Sequence, residues 1–116
     1  MLLKNAPRTI STLFRHLSHP MRVRILLIIG AGEACVCHWE DALNTRQTYI
    51  SQHLMALRKA KILKTNRDGR FVYYRLANSE ILDLIRSAGL AEGVISEDLK
   101  SIPSDKKTCG CPKCSS

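Results

Sequence analysis

The five cysteines of this 116-residue chain fall into two clusters, Cys35-Val36-Cys37 and Cys109-Gly110-Cys111-Pro112-Lys113-Cys114. Thiols two or three residues apart are the arrangement that chelates a soft ion, whereas a disulfide framework spreads its partners along the chain. Such donors suit Zn(II), Cd(II), Pb(II) and Cu(I) rather than Mg(II) or Ca(II). Trivalent arsenic and antimony belong with them, because they bond covalently to sulfur and prefer three thiolates in a pyramid. In an ideal helix residues i and i+2 point about 200° apart. Cys35 and Cys37 therefore meet on one ion only if Cys35 precedes the helix, or if the ligand unwinds the first turn. The second arrangement is the expectation, with unwinding passed on through Leu43 and Asn44 to the helix that follows. A helix N-terminus would also favour the reactive thiolate. In the C-terminal run Gly110 and Pro112 keep the chain out of a helix, so Cys109, Cys111 and Cys114 can fold around an ion or stand as incidental thiols.

A second chemistry lies between the clusters. From Arg46 to Arg75 there are eight Lys or Arg residues against one acid, Asp68, so this stretch holds nearly all of the net charge of +8. A basic segment so concentrated points to a polyanion, nucleic acid being the commonest in the cytosol. The plainer alternative is a solubilising surface. Nothing points to catalysis. There is no metalloprotease, P-loop or dinucleotide motif, and His16, His19, His38 and His53 are not grouped as ligands of an open metal site.

These groups need a scaffold, and the length allows one domain with a real core. Apolar residues at 45% and charged residues at 24% are ordinary for a globular protein. No apolar run approaches the roughly 20 residues of a membrane span, and the N-terminus lacks a signal-peptide layout. The expected setting is the cytoplasm, where thiols stay reduced.

Ile10, Leu13, Phe14 and Leu17 recur at helical spacing in a first helix from Pro7 to Leu17. Pro20 opens a second, apolar on most sides, that ends at Gly30 and Gly32. A short helix from Val36 to Leu43 carries Trp39 inward. Asn44-Thr45 then supplies a turn and a cap. From Arg46 to about Ala60 a stripe of Ile50, Leu54 and Leu57 backs a polar face. This pair is a helix-turn-helix. Two strands, Ile62–Thr65 and Phe71–Leu76, flank an Asp68-Gly69 hairpin signal. Asn78 or Ser79 caps a last helix bearing Ile81, Leu82, Leu84 and Ile85. The pattern is mainly α with a β-hairpin wing, a winged helix-turn-helix over 1–94, followed by a Cys-rich tail over 95–116.

On the polar face Gln47, Thr48, Tyr49, Ser51 and Gln52 offer amides and hydroxyls suited to base edges in the major groove. Arg46, Arg58 and Lys59 would grip phosphates, which position without specifying. Arg67 and Arg70 would sit at the wing tip, beside the backbone or in the minor groove. The first and last helices carry more apolar surface than one small domain must bury. A two-fold homodimer fits that surplus and supplies two recognition helices for two half-sites of duplex DNA.

Three segments in order, Leu17-Ser18-His19-Pro20-Met21-Arg22-Val23-Arg24-Ile25-Leu26, Ile50-Ser51-Gln52-His53-Leu54 and Gly69-Arg70-Phe71-Val72-Tyr73-Tyr74-Arg75-Leu76, resemble the ArsR/SmtB family of metal-responsive repressors. The resemblance runs from about Arg8 to Leu90. It implies a DNA-binding repressor, and it places His53 beside the DNA interface in a structural or hydrogen-bonding role rather than as a metal ligand. Glu33-Ala34-Cys35-Val36-Cys37-His38-Trp39 is similar to the arsenical-sensing branch, in which a Cys-Val-Cys motif opens the helix before the recognition helix. That implies release from DNA by As(III) or Sb(III) at Cys35 and Cys37. Two alternatives stand beside it: a soft divalent inducer such as Cd(II), Pb(II) or Zn(II) held by both clusters, and thiol oxidation. The chain departs from the pattern at Glu40, where arsenical sensors often have a third cysteine. It also has no histidine from Asn78 to Val94, where the zinc-sensing branch carries ligands.

Overall fold

The computed structural model describes residues 5–94, in which five helices and one hairpin follow in the order α1 (Ala6–Leu17), α2 (Pro20–Ile29), α3 (Val36–Leu43), α4 (Gln47–Lys59), β1 (Leu63–Asp68), β2 (Phe71–Leu76) and α5 (Glu80–Ala91). The helix-helix-helix-helix-hairpin-helix order is the expected winged helix-turn-helix. The Cys-rich run after Val94 lies outside the described residues.

Each junction has a local cause. Pro20 forces His19 into extended backbone (φ −152°, ψ 118°), which ends α1 and starts α2 one residue later. The α2 core residues Ile25 and Leu26 are fully buried, as expected of a central helix. Trp39 of α3 is also fully buried, and its indole N–H donates to the Ile25 carbonyl at 3.0 Å, pinning α3 across α2. Between α3 and α4, Asn44 takes the left-handed conformation (φ 50°), which Asn tolerates better than most residues. The expected Asn44-Thr45 cap does not form. The Thr45 hydroxyl donates instead to the Leu43 carbonyl at 3.0 Å, and Arg46 occupies the cap position with no side-chain cap hydrogen bond. Ile50, Leu54 and Leu57 of α4 are wholly buried, which seats this helix firmly in the core.

The hairpin is longer than its sequence signal suggested. β1 and β2 pair antiparallel from Leu63↔Leu76 to Asp68↔Phe71, so Asp68 belongs to the ladder and the loop is Gly69-Arg70. Gly69, at φ +62°, carries the positive dihedral of a Gly-first two-residue turn. At the entrance to α5 the Asn78 side chain accepts the Glu80 N–H at 2.9 Å, while Ser79 in the cap position makes no such bond.

Most buried apolar side chains form one core joining α1 to α5 and the base of the hairpin. Cys35 and Tyr73 form a separate small patch, with Cys37 and Phe71 packed against it. Ile10, Phe14, Leu90 and Val94 remain exposed on the first and last helices and the residues after them. Beside them Phe14, Leu17, Val23, Leu27, Ile85 and Val94 line an apolar groove of about 620 Å³. Among the described residues no helix is long and apolar enough to cross a membrane.

Candidate DNA-reading face and thiol site

Helix α4 presents the polar face that its sequence promised. Gln47, Thr48, Tyr49 and Gln52 are exposed, Ser51 is half-buried, and Arg46, Arg58 and Lys59 are exposed at the two ends of the helix. No acid stands in the first turn, and no side chain caps it. The free N–H groups and Arg46 therefore favour an approaching phosphate. On the wing Arg67 pairs with Val72 within the ladder, and only Arg70 is at the tip. The Arg70 guanidinium lies 5.3 Å from the centre of the Phe71 ring, a cation–π distance that steadies the loop.

His53 departs from the expected set of DNA contacts. It is only 7% exposed, on the inner side of α4, so it cannot reach a base edge. Its Nδ1 accepts the Arg22 Nε–H at 3.2 Å, and Arg22 also donates to the His16 carbonyl at 3.1 Å. One guanidinium thus ties the end of α1 to the recognition helix. Accepting at Nδ1 puts the proton of a neutral His53 on Nε2. The rings of His19 and Tyr49 meet the His53 ring edge-on, at centroid distances of 4.4 and 4.8 Å. Burial first, and then the neighbouring His19 and Arg22, hold the His53 pKa below the ordinary histidine value. His53 is a packing residue that backs Tyr49, a candidate reader. Arg22 was not singled out from sequence; its partners lie 6 and 31 residues away, so periodicity carries no sign of them.

At the start of α3 the two cysteines converge. Helix α3 begins at Val36, and Cys35 is its extended N-cap (φ −91°, ψ 170°). The expected unwinding of a helical turn is therefore unnecessary: Cys35 already lies outside the helix. The Cα atoms of Cys35 and Cys37 are 5.4 Å apart and their sulfurs are in bonding contact as a disulfide. Reduced thiols were the expectation from composition; two sulfurs brought to one point can take either form. The donor set suits a thiophilic ion, with two soft sulfurs and one further position to fill. Among the described residues no group of three or more His, Cys, Asp or Glu side chains is placed to hold a metal. Glu40 does not complete the site, and Cys109, Cys111 and Cys114 lie outside the described residues.

The cysteine turn also touches the wing. Ala34 and Tyr74 exchange two backbone hydrogen bonds, with Tyr74 N–H to Ala34 O at 2.8 Å and Ala34 N–H to Tyr74 O at 3.1 Å. The Tyr74 ring meets Trp39 edge-on at 5.8 Å. Tyr73, pointing to the opposite face of β2, is 1% exposed and packs with Cys35. Nothing in the sequence flags this meeting of Cys35 and Tyr73, because it is made only when the hairpin folds back over α3.

A helix-turn-helix with a basic outer face, a wing and a thiol pair on the first helix of the motif defines a class of DNA-binding regulator. Residues 19–65 match the family described as bacterial regulatory protein, arsR family. The chain is 47% identical over 64 residues to the arsenic resistance transcriptional regulator ArsR1 of Pseudomonas putida, which covers 54% of this chain and 50% of that protein. It is 31% identical over 90 residues to the cadmium resistance transcriptional regulatory protein CadC homolog of Staphylococcus aureus, covering 77% of this chain and 74% of that one. In structure it resembles the homodimeric winged helix-turn-helix domain of Mb0332 from Mycobacterium bovis, with a TM-score of 0.69 at 22% identity over 84% of this chain and 93% of that chain. The chain belongs to the arsR family of bacterial regulatory proteins, a family of transcriptional regulators and not of enzymes. It spans about half the length of the first arsenic-resistance relative.

Proposed function

We propose that this protein is a cytoplasmic transcriptional repressor that binds duplex operator DNA as a homodimer and lets go when trivalent arsenic or antimony bonds to Cys35 and Cys37. The observation that carries the reading is the convergence of two sulfurs at the N-cap of the first helix of the DNA-binding motif. Similarity to an arsenic-resistance regulator supports it. With As(OH)₃, each reduced thiol gives its proton to one hydroxyl. Two As–S bonds form, two As–O bonds break, two waters leave and arsenic stays trivalent. Its third position takes the remaining hydroxyl or a third thiolate, for which Cys109, Cys111 and Cys114 are the candidates. Gln47, Thr48, Tyr49, Ser51 and Gln52 read bases, and Arg46, Arg58, Lys59, Arg67 and Arg70 hold phosphates. The exposed apolar groove on the first and last helices supports pairing of two copies there.

Two other inducers have specific support. The cadmium-resistance relative favours Cd(II), with Pb(II) and Zn(II) as further soft ions, held by thiolates of both clusters. The bonded sulfurs favour thiol oxidation, in which peroxide takes two electrons from Cys35 and Cys37, forming the disulfide and two waters.

Titration of the DNA complex in reducing buffer, followed by fluorescence anisotropy, separates these. Arsenite should release the DNA. Cys35→Ser with Cys37→Ser should keep DNA affinity and raise the arsenite needed by about a hundredfold, the upper range of an allosteric coupling. Release of the double mutant at the wild-type arsenite concentration rejects the site. Release by Cd(II) but not arsenite moves the reading to a divalent inducer, and release by peroxide in chelated buffer moves it to oxidation.

A further inference from the structure

We propose that the wing is the element the thiol site moves, with Tyr73 as the positioning residue that carries the movement. This rests on the reading of Cys35 and Cys37 as the inducer site. Three contacts join the cysteine turn to β2. The Ala34–Tyr74 pair adds a backbone rung at the hairpin. The Tyr74 ring lies against Trp39 of α3. On the other face of β2, Tyr73 and Phe71 pack with Cys35 and Cys37. That last patch is separate from the main core, which holds Ile50, Leu54 and Leu57 of the recognition helix. The apolar side chains described in that patch with the two cysteines are therefore wing residues, while α4 is seated in the main core.

The geometry also says which sulfur yields. Cys37 is in the first turn of α3, and that helix is fixed by the buried Trp39 and its bond to α2. Cys35 is in extended backbone ahead of the helix. An arsenic atom bonded to both reduced sulfurs fixes their separation, and the less constrained Cys35 is the one that must move to meet it. It is 6% exposed and packs with Tyr73, which is 1% exposed, so neither has open solvent to move into. Close-packed groups pass a displacement on rather than absorb it. Moving Cys35 thus shifts Tyr73, strains the adjoining Ala34–Tyr74 rung, and re-aims the strand that leads to Arg70. The wing loses its register on the duplex before the recognition helix is disturbed.

Amide hydrogen exchange on the reduced, DNA-free protein with and without arsenite reads this directly. The Ala34 and Tyr74 amides should exchange faster on arsenite binding, while those of Leu54 and Leu57 stay as they were. Unchanged wing amides with faster exchange confined to α4 overturn the route. In parallel, Tyr73→Leu should bind arsenite and DNA separately as wild type does, yet need about tenfold more arsenite for release, a loss within the range of allosteric couplings. Tyr73→Phe, which keeps the ring, should be released like wild type. A folded Tyr73→Leu released at the wild-type concentration sinks the proposal, and if that variant does not fold the exchange experiment decides. Failure of the wild type to bind arsenite is a different result: it removes the inducer reading and the route with it.

Discussion

Helix α4 and the wing are the two elements proposed to face DNA, but they are held in different ways. Helix α4 is set into the main core by Ile50, Leu54 and Leu57, and its inner side is further tied to α2 through His53 and Arg22. The wing beyond its base has a thin attachment: a backbone rung to Ala34, one aromatic edge contact with Trp39, and the small patch shared with the cysteines. On the proposed function, an inducer acts cheaply only on the weaker attachment. Displacing α4 means breaking the core, whereas displacing the wing costs a few contacts. The thiols stand beside the second.

Four substitutions or conditions test that difference. Leu54→Ala should be the most damaging, at about 3 kcal/mol of unfolding free energy in urea melts, as for a fully buried leucine. A much smaller loss would mean that α4 is not core-bound. Arg22→Ala should cost about 2 kcal/mol, because it strips charged hydrogen bonds from the His16 carbonyl and from His53 in one step. Phe71→Ala, at the half-buried edge of the thiol patch, should cost only about 1 kcal/mol, since less of its side chain leaves a cavity. A cost equal to that of Leu54→Ala would erase the distinction between the two attachments. Smallest is the effect of acid on His53. Because the fold lowers its pKa, the neutral form is the one the native state favours. Its contribution is intact above the ordinary value near 6.5 and is lost as the pH falls through the lowered folded value. Urea midpoints should therefore drop more between pH 7.5 and 5 in wild type than in His53→Gln, and equal drops would assign the acid sensitivity elsewhere.

Much of this was readable along the chain, and the failures have physical causes. Apolar spacing and breaker residues placed all five helices, because each helix sets at least part of an apolar face against the same core. Element ends were harder. Thr45 looked like a cap, but its hydroxyl bonds the Leu43 carbonyl behind it. The first strand was expected to end at Thr65, but the ladder runs three residues further, to Asp68, and leaves Gly69-Arg70 as the turn. The resemblance places His53 beside the DNA interface in a structural or hydrogen-bonding role, but nothing in the sequence names its partner. Only the rotation of α4 in the core turns it inward, to Arg22. Local pattern reports neighbours within a turn or two, whereas a capping choice or a buried pair depends on what packs from elsewhere.

By itself the sequence determined that Cys35 and Cys37 are a soft donor pair, that the segment after them is basic and helix-turn-helix in pattern, and that a hairpin follows. Spacing and charge are properties of the chain and survive any packing. Tertiary structure alone decided that the wall of the two sulfurs is Tyr73 of the wing and that His53 turns inward to Arg22. Both facts come from contacts between residues far apart in the chain, which form only when the hairpin closes over the start of α3 and α4 packs on α2.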